Sequence, residues 1–151
     1  MKRSEVNRER EVVRQILTDA GIAIAPTDEV EVADFGLGRY RTEGLGLIVR
    51  VNEPEYCSKW LTLLPGQECP WHYHKLKKET FFVYKGVVDL WSDDTQHALE
   101  PGQQFTIKPG VWHKFSSSTG AVIEEVSTHD QNSDSYFRNP EIVRDPAVEE
   151  D

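Results

Sequence analysis

The segment Gly66–Gly86, GQECPWHYHKLKKETFFVYKG, carries the most informative pattern in this sequence. It contains His72, His74 and Glu79, with apolar runs on both sides. Residues two apart on a β-strand point to the same side, so His72 and His74 can bind one ion. Glu79 comes five residues after His74, and the polar Lys75–Lys78 segment between them suits a turn or bulge that resets the strand register. We therefore predict that Glu79 starts the next strand and faces the same cavity.

A fourth candidate ligand, His113, follows the turn residues Pro109 and Gly110 at the start of a later run. Three neutral imidazoles and one carboxylate suit Mn²⁺, Fe²⁺, Co²⁺, Ni²⁺ or Zn²⁺, whereas a closed structural zinc site would normally include thiolates. An octahedral ion with four protein ligands keeps two open positions, at which neighbouring oxygens of a substrate can bind. The predicted metal ligands are His72, His74, Glu79 and His113.

From about residue 45 the chain consists of short runs rich in Val, Ile, Phe, Tyr and Trp, separated by Pro and Gly. Closely spaced strands with turn signals between them predict a β-sandwich or a small barrel. The predicted strands are Gly46–Val51, Lys59–Leu64, Thr80–Tyr84, Val87–Trp91, Gln104–Ile107 and Ala121–Val126.

The two ends of the chain differ from this β-rich part. Residues 4–20 carry apolar side chains at helical spacing and are followed by Gly21, which predicts one amphipathic helix. Residues 138–151 are polar and contain Pro140 and Pro146, as expected of a C-terminal arm. With 151 residues the chain fits one domain, predicted over residues 1–137 with this arm following it.

Composition excludes several classes of partner. The formal net charge of −9 opposes binding to nucleic acid and to anionic lipid. Apolar runs such as Leu45–Val49 are far too short to cross a bilayer, and the first residues lack the apolar core of a signal peptide, which predicts a cytoplasmic protein. Cys57 and Cys69 do not form a C-x-x-C pair, so we expect buried or inert thiols.

The spacing of glycines and candidate ligands from Gly66 to Gly86, and again from Gly102 to His113, resembles the two conserved motifs of the cupin superfamily. In the second motif, Lys108 stands where that family usually has proline, and Ser117 where it often has asparagine. The resemblance implies an all-β fold, a cupin-type double-stranded β-helix or jelly-roll barrel carrying the N-terminal helix. Since cupins commonly pair through their sheet faces, it also implies a homodimer.

A narrower resemblance is to the D-lyxose isomerase family of cupin sugar isomerases. It rests on the opening Met1–Asn7, the segment from Gly44–Leu47 to Val51–Asn52 with Tyr56–Lys59 after it, the run Pro65–His74, and Lys78–Phe81. The segment between the histidine pair and the glutamate is shorter here than that family usually has. The resemblance implies a metal-dependent aldose–ketose isomerase, usually with Mn²⁺, acting on a free sugar such as D-lyxose/D-xylulose or D-mannose/D-fructose.

The same resemblance implies that Lys77 and Glu125 are catalytic. Moving a carbonyl between neighbouring carbons benefits from a carboxylate base and from a cation that stabilises the developing enediolate. A metal-assisted hydride shift would use the same metal ligands, and the sequence does not separate the two routes. Strand periodicity alone does not choose between Glu124 and Glu125, because neighbours on a strand point to opposite faces. Lys77 has an alternative interpretation as part of a solvated turn. We expect Lys59 to be a surface lysine whose stem covers the barrel, with a hydrogen bond to a substrate hydroxyl as the alternative.

Two other functions fit the predicted ligand set. One is a cupin dioxygenase that uses Fe²⁺ in the same site, which would leave Lys77 and Glu125 without a role. The other is a sugar-binding cupin without catalytic activity. Both remain alternatives at the level of the sequence, because one scaffold hosts many chemistries.

Overall fold

The computed structural model describes residues 1–151 and consists of one helix and two antiparallel β-sheets. The elements are α1 Arg3–Asp19, β1 Val30–Ala33, β2 Leu45–Asn52, β3 Cys57–Leu63, β4 Glu68–Tyr73, β5 Glu79–Lys85, β6 Val88–Ser92, β7 Thr95–Leu99, β8 Gln104–Ile107, β9 His113–Ser116, β10 Ala121–Ser127, a 3-10 turn Asn132–Asp134, and β11 Tyr136–Phe137.

The two sheets pack face to face around one apolar core. The first has six strands in the order β1-β2-β3-β10-β5-β8, and the second has five in the order β11-β4-β9-β6-β7. This core contains Leu61, Phe81 and Ile123 from the first sheet and Leu90 and Phe115 from the second. Some neighbouring strands come from distant parts of the chain: β10 lies between β3 and β5 and pairs with both.

All six predicted strands occur, with ends that shift by at most two residues. Strands β4 and β9 were predicted only through the placement of His72, His74 and His113 on strands, and β1, β7 and β11 were not predicted. Strand β7 is mostly polar and lies at the edge of its sheet, where it needs no apolar face, and β11 has only two residues. Neither strand offers the alternation of apolar residues from which strands are recognised.

The predicted helix over residues 4–20 is confirmed as α1, and the chain leaves it at Gly21, whose φ of 80° favours glycine. Val13 and Leu17 of α1 pack on Ile48 and Val122, on the outer side of the six-stranded sheet. The helix thus covers part of the sheet surface that faces away from the main core.

The chain after β10 lies against the barrel. Strand β11 pairs with β4, the Val143 N–H donates to the carbonyl of Phe35, and Glu149 forms a parallel bridge with Lys2.

The helix of the protein lacks the combination of length and hydropathy that a membrane span requires. Cys57 and Cys69 are both unpaired and buried, as the sequence predicted.

Candidate metal centre and active site

The four predicted ligands converge inside the barrel. Their nearest ligand atoms all lie within 4.8 Å of one another, and all four side chains are buried. His72 lies on β4 beside His113, the first residue of β9, and His74 follows directly after β4. Glu79 is the first residue of β5, as predicted, and reaches the group from the opposite sheet.

Each of the three histidines is held in one tautomer by a backbone carbonyl. Because a carbonyl oxygen only accepts hydrogen bonds, the Nδ1 atom beside it carries the proton, and Nε2 keeps its lone pair. Burial and the two neighbouring imidazoles lower the pKa of His72 well below its usual value, so its ring is neutral. For His72, His74 and His113 the acceptors are the carbonyl oxygens of Pro70, Asp134 and Val111, at 2.7, 3.0 and 3.0 Å.

This arrangement leaves hydrogen-bond acceptors facing one another. Glu79 Oε1 lies 2.8 Å from His113 Nε2 and 3.5 Å from His74 Nε2, and none of these three buried atoms has a hydrogen-bond partner. Buried acceptors in such contact are unfavourable unless a cation or a proton lies among them. Imidazoles oriented by backbone carbonyls through their second nitrogen are also typical of metal ligands. The residues present therefore fit a divalent cation.

A cluster of buried charges adjoins the four ligands. Lys77 Nζ lies 3.1 Å from Glu79 Oε2, 3.6 Å from Glu125 Oε2 and 2.9 Å from Asp130 Oδ1. Lys59 Nζ lies 2.9 Å from Asp130 Oδ2 and 3.9 Å from Glu125 Oε2. The structure thus brings both predicted catalytic residues, Lys77 and Glu125, next to the predicted ligands.

Two sequence-based expectations about lysines are decided by these contacts. The expectation of a surface lysine at position 59 is wrong, because Lys59 is only 4% exposed and contacts two carboxylates. The interpretation of the 75–78 segment as a wholly solvated turn is also wrong for Lys77, which is buried, while Lys75 and Lys78 are exposed.

The two neighbouring glutamates of β10 point in opposite directions. Glu125 is 5% exposed and faces the cavity, whereas Glu124 lies on the outer face and pairs with Arg50 at 3.2 Å. Opposite placement follows from strand geometry. Only Glu125 is in a position to act in the cavity.

Burial and neighbouring charges shift the acid–base properties of the cluster. Burial disfavours the charged form of Lys77, but Glu125, Glu79 and Asp130 together raise its pKa well above the usual value. Burial raises the pKa of Glu125, and the charge of Glu79 adds to this effect while Lys77 and Lys59 oppose it. Asp130 is also desolvated, but Lys77 and Lys59 lower its pKa below the usual value. The cluster therefore contains a firmly charged cation beside a carboxyl group that binds a proton more readily than usual.

One cavity of about 50 Å³ joins the polar cluster to the apolar core. Its polar wall includes Lys59, Lys77, Glu125, Asp130 and Arg144. Its apolar lining includes Phe35, Leu47, Leu61, Phe81, Phe115 and Phe137.

Three residues around the candidate site were not predicted from the sequence: Asp130, Asp134 and Arg144. Asp130 comes three residues after the end of β10, the strand that carries Glu125 toward the cavity, so its proximity to that strand end is the one signal available. Asp134 ends the short 3-10 turn and Arg144 lies in irregular chain beyond it, where no periodicity indicates which side chains turn inward.

Comparison with known proteins gives consistent matches. The cupin domain family matches residues 59–126. The chain is 36% identical to a D-lyxose/D-mannose isomerase of Thermosediminibacter oceani, over 99% of both chains. It is 34% identical to a D-lyxose ketol-isomerase of Cohnella laeviribosi, over 100% of both. The structure of an L-ribose isomerase of Cellulomonas parahominis with L-psicose superposes with a TM-score of 0.84, covering 100% of this chain and 98% of that one at 16% identity.

Proposed function

The chain belongs to the D-lyxose ketol-isomerase family of cupin-fold proteins, and we propose that it interconverts an aldose and a ketose, D-lyxose with D-xylulose or D-mannose with D-fructose. The family and the shared fold confirm the predicted cupin-type jelly-roll barrel with an N-terminal helix. Membership of this family favours an isomerase over the dioxygenase and the sugar-binding protein.

We propose that His72, His74, Glu79 and His113 hold the divalent ion, with Mn²⁺ as the ion expected. The unpartnered acceptors on His74, Glu79 and His113 support this assignment. A divalent ion bound there would polarise the sugar carbonyl and orient the neighbouring hydroxyl. The net charge of −9 opposes binding to nucleic acid and to anionic lipid, and the candidate site is buried. The expected partner is therefore a free sugar.

The observation that carries the proposed reaction is the free carboxylate oxygen of Glu125. Its Oε2 atom is buried, has no hydrogen-bond partner, and lies 3.6 Å from the Lys77 ammonium. We infer that Glu125 removes the proton from the carbon next to the sugar carbonyl and returns it to the former carbonyl carbon, while the proton of the neighbouring hydroxyl passes to the former carbonyl oxygen. The raised pKa of Glu125 suits this role, because a base works best when its pKa approaches the working pH.

Lys77 has the complementary role in this proposal. When the proton leaves carbon, negative charge develops on the sugar oxygens, and an ammonium fixed in a buried site stabilises that charge. Lys77 is fixed by three carboxylates at 2.9 to 3.6 Å, so it needs no reorientation as the charge forms. Lys59, joined to Lys77 through Asp130, holds the second oxygen of that aspartate.

The experiment is an isomerase assay of the Mn²⁺-loaded protein with D-lyxose and with D-mannose in D₂O. We expect ketose product with deuterium at C1, the position that receives the proton. Absence of ketose from both sugars would overturn the proposed function. Ketose without deuterium, together with an unchanged rate in Glu125→Gln, would instead overturn the role of Glu125.

The chain supplies matched controls for both catalytic assignments. Glu125→Gln is expected to lower kcat by about 10²- to 10⁴-fold, the usual contribution of a positioned base. Glu124→Gln makes the same chemical change on the outer face of the same strand and should leave kcat unchanged. Lys77→Met is likewise expected to lower kcat, whereas the exposed Lys78→Met should not.

Three further expectations stay predictions: the identity of the ion as manganese, the homodimer and the cytoplasmic location. For the homodimer, the outer face of the six-stranded sheet is the candidate surface, since Phe82, Tyr84 and Val126 are exposed there.

A further inference from the structure

The carboxylate of Asp134 is enclosed by three consecutive backbone amides. Its Oδ1 accepts hydrogen bonds from the N–H of Lys75 at 2.9 Å and of Leu76 at 3.2 Å, and its Oδ2 accepts one from the N–H of Lys77 at 3.0 Å. Asp134 is only 4% exposed. Consecutive amides that converge on a carboxylate form an anion-binding nest, and such charge-assisted hydrogen bonds are among the stronger ones.

The same residue also orients a histidine of the candidate metal centre. The backbone carbonyl of Asp134 accepts the hydrogen bond from His74 Nδ1 at 3.0 Å. Its side chain therefore holds the segment that follows His74, while its main chain fixes the tautomer and the direction of the His74 ring.

The Lys75–Lys78 connection depends on contacts from outside itself. It joins β4 to β5 without helix or strand structure, and the N–H of Lys78 donates to the side chain of Thr128. His74 and Glu79 stand at its two ends, and Lys77 lies within it. A displacement of this short segment would move all three side chains relative to one another.

We propose that Asp134 is a positioning residue that sets the geometry of the metal centre and of Lys77 without touching either the ion or the sugar. This inference rests on the metal site of the proposed function. It makes the 3-10 turn Asn132–Asp134, which the chain reaches only after all the strands of the barrel except β11, a part of the active-site framework.

The first test is metal affinity, measured by titrating the metal-free protein with Co²⁺ and following its visible absorption. Asp134→Asn removes the negative charge and places an NH₂ group against backbone N–H donors. We expect Co²⁺ affinity to fall by about 10- to 100-fold, as is typical when a group that orients a ligand is lost, and the absorption bands to shift. Isomerase assays should show a larger fall in kcat than change in KM.

Ser133→Ala is the matched control, because Ser133 is exposed on the same 3-10 turn. It should leave Co²⁺ affinity, absorption and turnover unchanged. If Asp134→Asn lowers thermal stability but leaves Co²⁺ affinity and absorption as in the natural protein, Asp134 is merely structural and the proposal is overturned.

Hydrogen exchange provides a readout that does not depend on a stable variant. In the natural protein the amides of Lys75, Leu76 and Lys77 should exchange slowly, and rapid exchange at these amides would overturn the proposal. Neither exchange nor Co²⁺ titration requires turnover. A natural protein that binds Co²⁺ but does not isomerise sugars would therefore contradict the proposed function and leave the role of Asp134 intact.

Discussion

Replacing Asp130 with asparagine should destabilise the protein markedly. Asp130 is the one carboxylate that contacts Lys59 and Lys77 equally closely, at 2.9 Å through each of its two oxygens. Asp130→Asn keeps the shape of the side chain but removes its charge. The two buried ammonium groups then have only the carboxylates of Glu79 and Glu125 as partners. Of these two carboxylates, Glu125 has a pKa raised by burial. The substitution thus removes one of the three carboxylates that face the two buried ammonium groups, and each ammonium loses its nearest carboxylate oxygen.

The expected magnitude follows from these distances. At an effective dielectric constant of about 20, each contact is worth roughly 5 to 6 kcal/mol of Coulomb energy, most of which is offset by the cost of taking the charges out of water. Removing one partner of a buried ion pair typically costs about 3 to 5 kcal/mol. Because the Asp130 side chain keeps 13% of its exposure, we expect the lower end, about 3 kcal/mol. For a chain of this size that corresponds to a fall in Tm of roughly 6 to 12 °C.

The assay is urea denaturation of the metal-free protein at pH 7 and at pH 3, with the exposed Asp94→Asn as a control for the loss of one negative charge. The pKa of Asp130 is lowered in the folded protein, so its stabilisation is complete above the unfolded value of about 3.9 and declines as the pH falls toward the folded value. The difference between natural and variant protein should therefore shrink by about 1 kcal/mol at pH 3.

Two results would refute this reasoning. The first is an Asp130→Asn protein within about 0.5 kcal/mol of the natural one at pH 7, the range expected of surface substitutions. The second is a stability difference that grows, rather than shrinks, on acidification. A changed slope of the urea transition would indicate an altered unfolded state instead.

Three other outcomes are expected from the structure. Gly46→Ala should lower the free energy of unfolding by about 1 to 3 kcal/mol in thermal or urea denaturation, because a Cβ at Gly46 would overlap Val13 of α1. Iodoacetamide followed by mass spectrometry should modify Cys57 and Cys69 only after unfolding, since burial raises the pKa of both thiols; rapid modification of the native protein would contradict this. Phe82→Lys should shift sedimentation of the predicted homodimer toward the monomer without loss of secondary structure, and an unaffected dimer would exclude this face.

The ligand geometry could be predicted because it depends on short spacings. His72 and His74 are two residues apart, and Glu79 and His113 each start a strand directly after a turn, so local rules bring them to one side. The inward direction of Lys59 could also have been recognised. Lys59 lies on the same face of β3 as Cys57, Leu61 and Leu63, all of which are buried. Lysines generally lie at the surface, and Lys59 departs from that tendency because two buried carboxylates compensate its charge.

The aspartates that surround the candidate ligands and Lys77 could not be predicted, for a physical reason. Asp130 and Asp134 lie beyond the last long strand, in chain whose path is set by hydrogen bonds to Lys77 and to the Lys75–Lys77 amides. Such contacts join residues more than fifty positions apart and leave no periodic trace in the sequence. The burial of these aspartates follows from tertiary structure alone.

The position of β10 between β3 and β5 has a consequence for how the protein is made. As the polypeptide emerges from the ribosome, Lys59 and Lys77 are synthesised before Glu125 and Asp130, and they can pair with these carboxylates only once β10 lies between β3 and β5. Closing such long loops is slow. Sugar turnover should thus be the last property to return on refolding, after the helix has recovered its circular dichroism.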